Sequence, residues 1–213
     1  MSASGRLDRR TRPARAQARD GREALLEAAA RVFARRGFRD ASVDDIAREA
    51  GFSKGAVYWH FTGKDDLFFS LVDERLDRPV REAIAVLESA PPGEDMAPRA
   101  SALFADLLQR RRDLMLLDRE YWSLAVRDPR LRVRYAERQR ALRRALAGAL
   151  RARVEHLGQP VADVPMEEIA AALLALAHGL THDRLVDADA VPAHLLGQTF
   201  ALIYAGLGAR ADR

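Results

Sequence analysis

The sequence predicts an all-α chain in two parts: an N-terminal three-helix domain of helix-turn-helix outline, and a larger helical domain behind it. Three observations predict this. Apolar residues recur at i, i+3, i+4 and i+7 through most of the chain, which lines one face of a helix. No stretch sustains alternation of period two, so no sheet is expected. Most prolines, with Gly37, Gly51, Gly93 and Gly158, fall between the periodic stretches and mark their ends. With 213 residues, 48% of them apolar, the chain can bury a substantial core. Cysteine is absent, which excludes disulfides and thiol-based metal or nucleophile chemistry. No apolar run approaches the roughly 18 residues of a membrane span, and the basic N-terminus lacks a signal-peptide core. A cytoplasmic protein is expected.

Residues 1–19 hold six arginines against one aspartate, include Pro13 and show no helical period. They read as a flexible basic arm. The net charge of the chain is +4, so the positive excess sits in this arm and the body is near neutral. Such an arm suits a polyanion, or is a solvated tail.

From Asp20 the pattern turns helical, with Leu25, Leu26, Ala29, Val32 and Phe33 on one face. Gly37, preceded by two arginines and followed by Phe38, has the form of a C-cap. Ser42 begins a second helix; its hydroxyl is placed to accept from the Asp45 N–H, and Asp44 and Asp45 favour the positive end of the helix dipole. Gly51 closes that helix. Ser53 caps a third, from Lys54 to about Phe61. Helix, short glycine turn, helix is the outline of a helix-turn-helix, placed at residues 20–66. A long fourth helix starts at Thr62 or Gly63 and carries Leu67, Phe68, Leu71, Val72, Leu76, Ile84 and Leu87, with a kink expected at Pro79. After the break at Ala90-Pro91-Pro92-Gly93, helices are expected at about 97–111, 113–127, 129–156, 166–186 and 192–208. Residues 67–213 form the second domain.

The third helix can serve two surfaces. Val57 and Phe61, four apart, face the other helices. Gly55 and Ala56 are small enough for close approach of a duplex, and Ala56 can touch a thymine methyl. Lys54 reaches a guanine edge or a phosphate; Tyr58, His60 and Lys64 can donate to phosphates. Ser42 and the free N–H groups of its helix offer another phosphate site. The candidate DNA surface is therefore Ser42, Ser53, Lys54, Gly55, Ala56, Tyr58, Trp59, His60 and Lys64. From spacing alone a second reading stays open, because the same outline occurs in bundles that never meet DNA, with Tyr58 and Trp59 as core aromatics.

The run from Gly51 to Leu67, Gly-Phe-Ser-Lys-Gly-Ala-Val-Tyr-Trp-His-Phe-Thr-Gly-Lys-Asp-Asp-Leu, resembles the signature of the TetR family. Leu25 to Ala29, Phe33, Gly37, Ser42 and Ile46-Ala47 match that family's first two helices. The resemblance covers about residues 20–70. It departs at Phe52, where Val or Met is commoner, and at Gly63, where Ser or Asn often caps the fourth helix. It implies phosphate contacts by Ser42, Tyr58, His60 and Lys64, and base-edge contacts by Lys54, Gly55 and Ala56. It also implies a homodimer on a double-stranded operator, released by a small-molecule effector, with no cofactor and no catalytic role.

In the second domain, Ala171, Ala175 and Gly179 make a small-residue stripe, and Leu196, Thr199, Phe200, Ile203 and Tyr204 an apolar face. These are the expected dimer interface, a four-helix bundle across two subunits. Expected ligand-lining residues are Phe104, Leu108, Met115, Tyr121, Trp122, His178 and His182. Trp122 and Tyr121 together would suit a flat apolar or cationic ligand. His178 and His182 share a helix face, but no third ligand is evident, so no metal is expected. An enzyme is the weaker alternative, since no nucleotide loop, nucleophile elbow or paired catalytic carboxylates are present. An adaptor for protein partners would need an apolar surface over 53–64.

Overall fold

The computed structural model describes residues 14–89, 94–95, 97–156, 165–189, 191–192 and 194–209. Among them there is no strand, and no helix is long and apolar enough to cross a membrane. The helices are α1 (Ala14–Asp40), α2 (Val43–Ala50), α3 (Lys54–His60), α4 (Lys64–Val72), α5 (Arg78–Ser89), α6 (Ala97–Arg110), α7 (Arg112–Arg127), α8 (Pro129–His156), α9 (Met166–Val186) and α10 (Leu195–Ala209). The chain divides into two compact units at Leu71/Val72.

Two details differ from the sequence reading. Helix α1 begins at Ala14, inside the segment assigned to the arm, whose first thirteen residues lie outside the described range. Ala14-Arg15-Ala16-Gln17-Ala18-Arg19 is a run of the strongest helix formers, and propensity suffices there without an apolar face. The kink expected at Pro79 is instead a π-helical turn one step earlier, at Asp73–Asp77, with the Arg78 N–H donating to the Asp73 carbonyl five residues back. The Pro79 ring would clash with the carbonyl four residues before it, and a widened turn relieves that.

The first unit centres on Leu25, Leu26, Val32, Phe33, Ile46, Val57, Phe61, Leu67 and Phe68, all buried. Gly37 ends the main run of α1 at φ 73°, ψ 176°, a region open essentially to glycine alone. Gly51 closes α2 in the left-handed region at φ 71°, donating back to Ala47 and Arg48.

The second unit has a core in which Ile84 of α5, Leu146, Leu150 and Val154 of α8, Met166, Ala170 and Leu173 of α9 and Phe200 of α10 pack together. A smaller cluster joins Leu180 and Val191 to Leu176, Leu195 and Leu196. Helices α6 and α10 cross closely at Gly197, where a Cβ would lie 2.0 Å from Ser101 Oγ and 2.3 Å from the Ala97 carbonyl. Between α7, α8 and the π-turn lies a buried ionic cluster. Arg138 grips Asp77 with two hydrogen bonds of 2.6 and 2.7 Å, and donates to Asp118 at 2.5 Å. The Tyr135 hydroxyl donates to the other Asp118 oxygen at 3.1 Å. Burial raises the Asp77 pKa despite the guanidinium beside it.

Candidate nucleic-acid interface

The two helices of the turn are capped as their sequence requires. Ser42 Oγ accepts from the Asp45 N–H at 3.1 Å, while the Asp45 carboxylate accepts from the Ser42 N–H at 3.2 Å. This reciprocal box satisfies two N–H groups that the helix leaves unpaired. The Ser42 hydroxyl also donates to Asp45 at 2.6 Å, and Arg36 and Arg48 bridge to the same carboxylate. The Ser42 hydrogen bond and these arginines hold Asp45 below the usual carboxylate range. Ser53 Oγ accepts from the Ala56 N–H at 3.2 Å and starts α3. Helix α2 is tied to α1 by Glu49, which pairs with Arg31 at 2.8 Å and with Arg35.

Helix α3 turns Val57 fully inward and leaves Lys54, Gly55, Tyr58 and Trp59 outward, Trp59 at 71% exposure. The aromatic-core alternative for Tyr58 and Trp59 is thereby excluded within this chain. Around Gly55 the space is open: a Cβ there would meet only Ser53 Oγ, at 3.8 Å. Lys54 Nζ lies 2.9 and 3.1 Å from the two carboxylate oxygens of Asp44, so the ends of α2 and α3 are bridged on this face.

Two expected phosphate contacts sit differently. The Lys64 ammonium donates to three carbonyls, those of Phe38 at 2.8 Å, Arg39 at 3.0 Å and Ala41 at 2.8 Å, and lies over the Phe38 ring. Gly37 breaks the helix just before these residues, so their carbonyls lack the usual helical donors, and an ammonium with three N–H groups collects them. Lys64 is thus a strut of the first unit, and a phosphate there would have to displace a carbonyl. His60 is half-buried, with its Nε2 only 3.3 Å from where a Cβ on Gly21 would lie. Burial, with Arg22 nearby, lowers its pKa, so the imidazole is neutral near pH 7.

Residues 25–71 match the family described as "Bacterial regulatory proteins, tetR family", and residues 98–202 match "BetI-type transcriptional repressor, C-terminal". The chain is 30% identical over 205 residues to the HTH-type transcriptional regulator TtgR of Pseudomonas putida, covering 90% of this chain and 91% of that one. It belongs to the TetR family. Its members are DNA-binding regulators of transcription. A shorter match, 43% over 60 residues, links it to the HTH-type regulator TtgW of Pseudomonas putida; it covers 28% of this chain and 45% of that relative, less than half its length. A transcriptional regulator of Pseudomonas aeruginosa PAO1 has a similar crystal structure, with TM-score 0.68, 26% identity, and coverage of 94% of this chain and 93% of that one.

The expected ligand and dimer residues are only partly brought together. Tyr121 is buried, its ring stacked on Tyr135 at 6.1 Å, whereas Trp122 is 44% exposed under the Arg119 guanidinium. Successive residues on a helix point about 100° apart, so the two do not share one platform. Met115 is half-buried; His178 and His182 are exposed, and Arg119 Nη2 lies 3.2 Å from His182 Nδ1. The side chains of Phe104, Leu108 and Tyr204 lie outside the described residues. No group of three metal-binding side chains occurs among the described residues.

Of the expected interface, Phe200 is buried in the core of the second unit, and Ile203 packs against that core. Ala171, Leu196 and Thr199 are half-buried; Ala175 and Gly179 are exposed. The sequence reading missed that Ala172, His182 and Val186 extend the exposed pair into one stripe at three- and four-residue steps along α9, and that Leu202 on α10 is 74% exposed. The signal was available: the i, i+3, i+7 apolar face opposite the core face.

Proposed function

We propose that the chain is a repressor that binds a palindromic operator as a homodimer and releases it when a small effector occupies the second unit. The observation that carries this reading is the outer face of α3. Glycine inside a helix costs about 1 kcal/mol relative to alanine. Nothing in the protein's own packing needs Gly55 to be small. Its use is explained by close approach of a duplex, flanked by Lys54, Tyr58 and Trp59. Dimerisation is supported by the α9 stripe of Ala172, Ala175, Gly179, His182 and Val186, which admits a partner helix closely.

Release follows as a population shift. The effector favours a state in which the two recognition helices no longer match successive major grooves, by as much as its affinities for the two states differ. Tyr121, Met115 and the Asp77–Arg138–Asp118 cluster give the second unit the polar and aromatic interior that such a ligand can disturb.

The test is fluorescence anisotropy with a duplex selected from a randomised library by the full chain, against a shuffled duplex. Wild type should prefer the selected duplex, and Lys54→Ala and Tyr58→Ala should lose that preference. A selection that enriches no sequence ends the reading.

A further inference from the structure

We propose that Asp44 is a specificity-determining residue: its bridge to Lys54 holds the lysine away from phosphates, so that only a correctly placed base edge draws it off. The inference rests on the DNA-binding reading above. Lys54 stands at the start of the recognition helix, and both oxygens of Asp44 lie within 3.1 Å of its ammonium. Both side chains are more than half exposed, at 56% and 54%, so the pair sits on open surface and is not a packing device. Exposed pairs of this kind are weak enough to exchange partners.

On a sequence without a suitable base, Lys54 can trade Asp44 only for a phosphate. That brings the Asp44 carboxylate, about 3 Å away, toward the same polyanion with its charge uncompensated. On a sequence presenting the paired acceptors of a guanine, the exchange is repaid by a base contact. Leaving Asp44 costs more at a phosphate, where the freed carboxylate faces the same anion, than at a base edge inside the groove, and only the base edge offers paired acceptors. Asp44 thereby converts a cation that would add to every complex into one that adds only to the right one, a device of negative selection against wrong partners. Lys54 is raised in pKa chiefly by its hydrogen bond to Asp44, consistent with a charge already engaged in the free protein.

The experiment measures binding of wild type, Asp44→Asn, Asp44→Glu, Lys54→Met and the double variant Asp44→Asn/Lys54→Met to the selected and shuffled duplexes at 50 and 200 mM salt. One phosphate contact changes affinity by about 3.5-fold across that interval. Asp44→Asn should tighten binding to the shuffled duplex several-fold and steepen its salt slope by about 0.9. The ratio of selected to shuffled affinity should fall, and Asp44→Glu should restore it. On the Lys54→Met background, Asp44→Asn should have no effect on the ratio. An equal gain on both duplexes, an unchanged ratio, or an effect that persists without Lys54 would overturn the role of Asp44 and leave the DNA reader standing. Failure of the selection itself would overturn the reader and Asp44's role with it. Melting temperatures of the variants should match wild type, since neither side chain is buried.

Discussion

The two units handle charge in opposite ways. In the first, the ion pairs Arg31–Glu49, Arg36–Asp45 and Lys54–Asp44 lie at the surface between helices, over a core of purely apolar side chains. In the second, an arginine and two aspartates are taken inside, with Asp77 only 3% exposed. Burial raises the Asp77 pKa even with Arg138 in bidentate contact. Desolvation there outweighs attraction, as it commonly does for buried pairs. The first unit is therefore built for one rigid shape. The second carries an interior that is costly to disturb by halves and cheap to replace whole.

Four measurements sharpen or break this contrast. Arg138→Met should have the largest effect. It strands two buried carboxylates and should cost about 3–5 kcal/mol, lowering the melting temperature by on the order of 10 °C. Replacing Asp77, Asp118 and Arg138 together with apolar residues of similar volume should recover most of that loss. If the triple variant is as unstable as the single one, the cluster is a net stabiliser and the contrast fails.

Lys64→Met comes next. Three carbonyls lose a charged donor, at a cost of about 2–3 kcal/mol after partial rescue by water. The loss should appear as weakened protection of amide hydrogens in α1 and α2, with the second unit unaffected. Ser42→Ala removes the capping box and should cost about 1 kcal/mol; a change within error would mean that Asp45 and its arginines hold the helix start unaided.

The smallest effect is a pH dependence. The folded state keeps His60 neutral below the ordinary value of 6.5. As pH falls through about 6.5, the unfolded chain takes the proton first, so stability drops until the folded imidazole also protonates. Wild type should lose a degree or two more than His60→Gln between pH 7.5 and 5.5. Parallel melting curves would show that His60 is not held neutral by the fold.

Much of this was legible in the sequence. The capping roles of Ser42 and Ser53, the glycine ends of α1 and α2, and the bounds of α7, α8 and α9 follow from local pattern, and the structure agrees to within a residue. What escaped were the long-range pairings. Arg138 and Asp77 are 61 residues apart, and an aspartate on a helix reads as solvent-facing until its partner is known. Lys64 and the carbonyls it serves are 23 to 26 residues apart, and a backbone acceptor leaves no mark in a sequence. Tyr121 and Trp122 read as a pair because they are adjacent, although helix geometry separates them.

Lys64 also bears on how this gene can drift. Of its 35 basic residues, 33 are arginine, the bias of a GC-rich coding sequence. A single base change would carry either lysine to arginine. An ammonium offers three N–H groups around one point, which is what three converging carbonyls require. A guanidinium spreads its donors in a plane and is longer. At position 64 a guanidinium fits the three converging carbonyls less well than the ammonium does, so Lys64→Arg should lower the stability of the first unit, by less than Lys64→Met does.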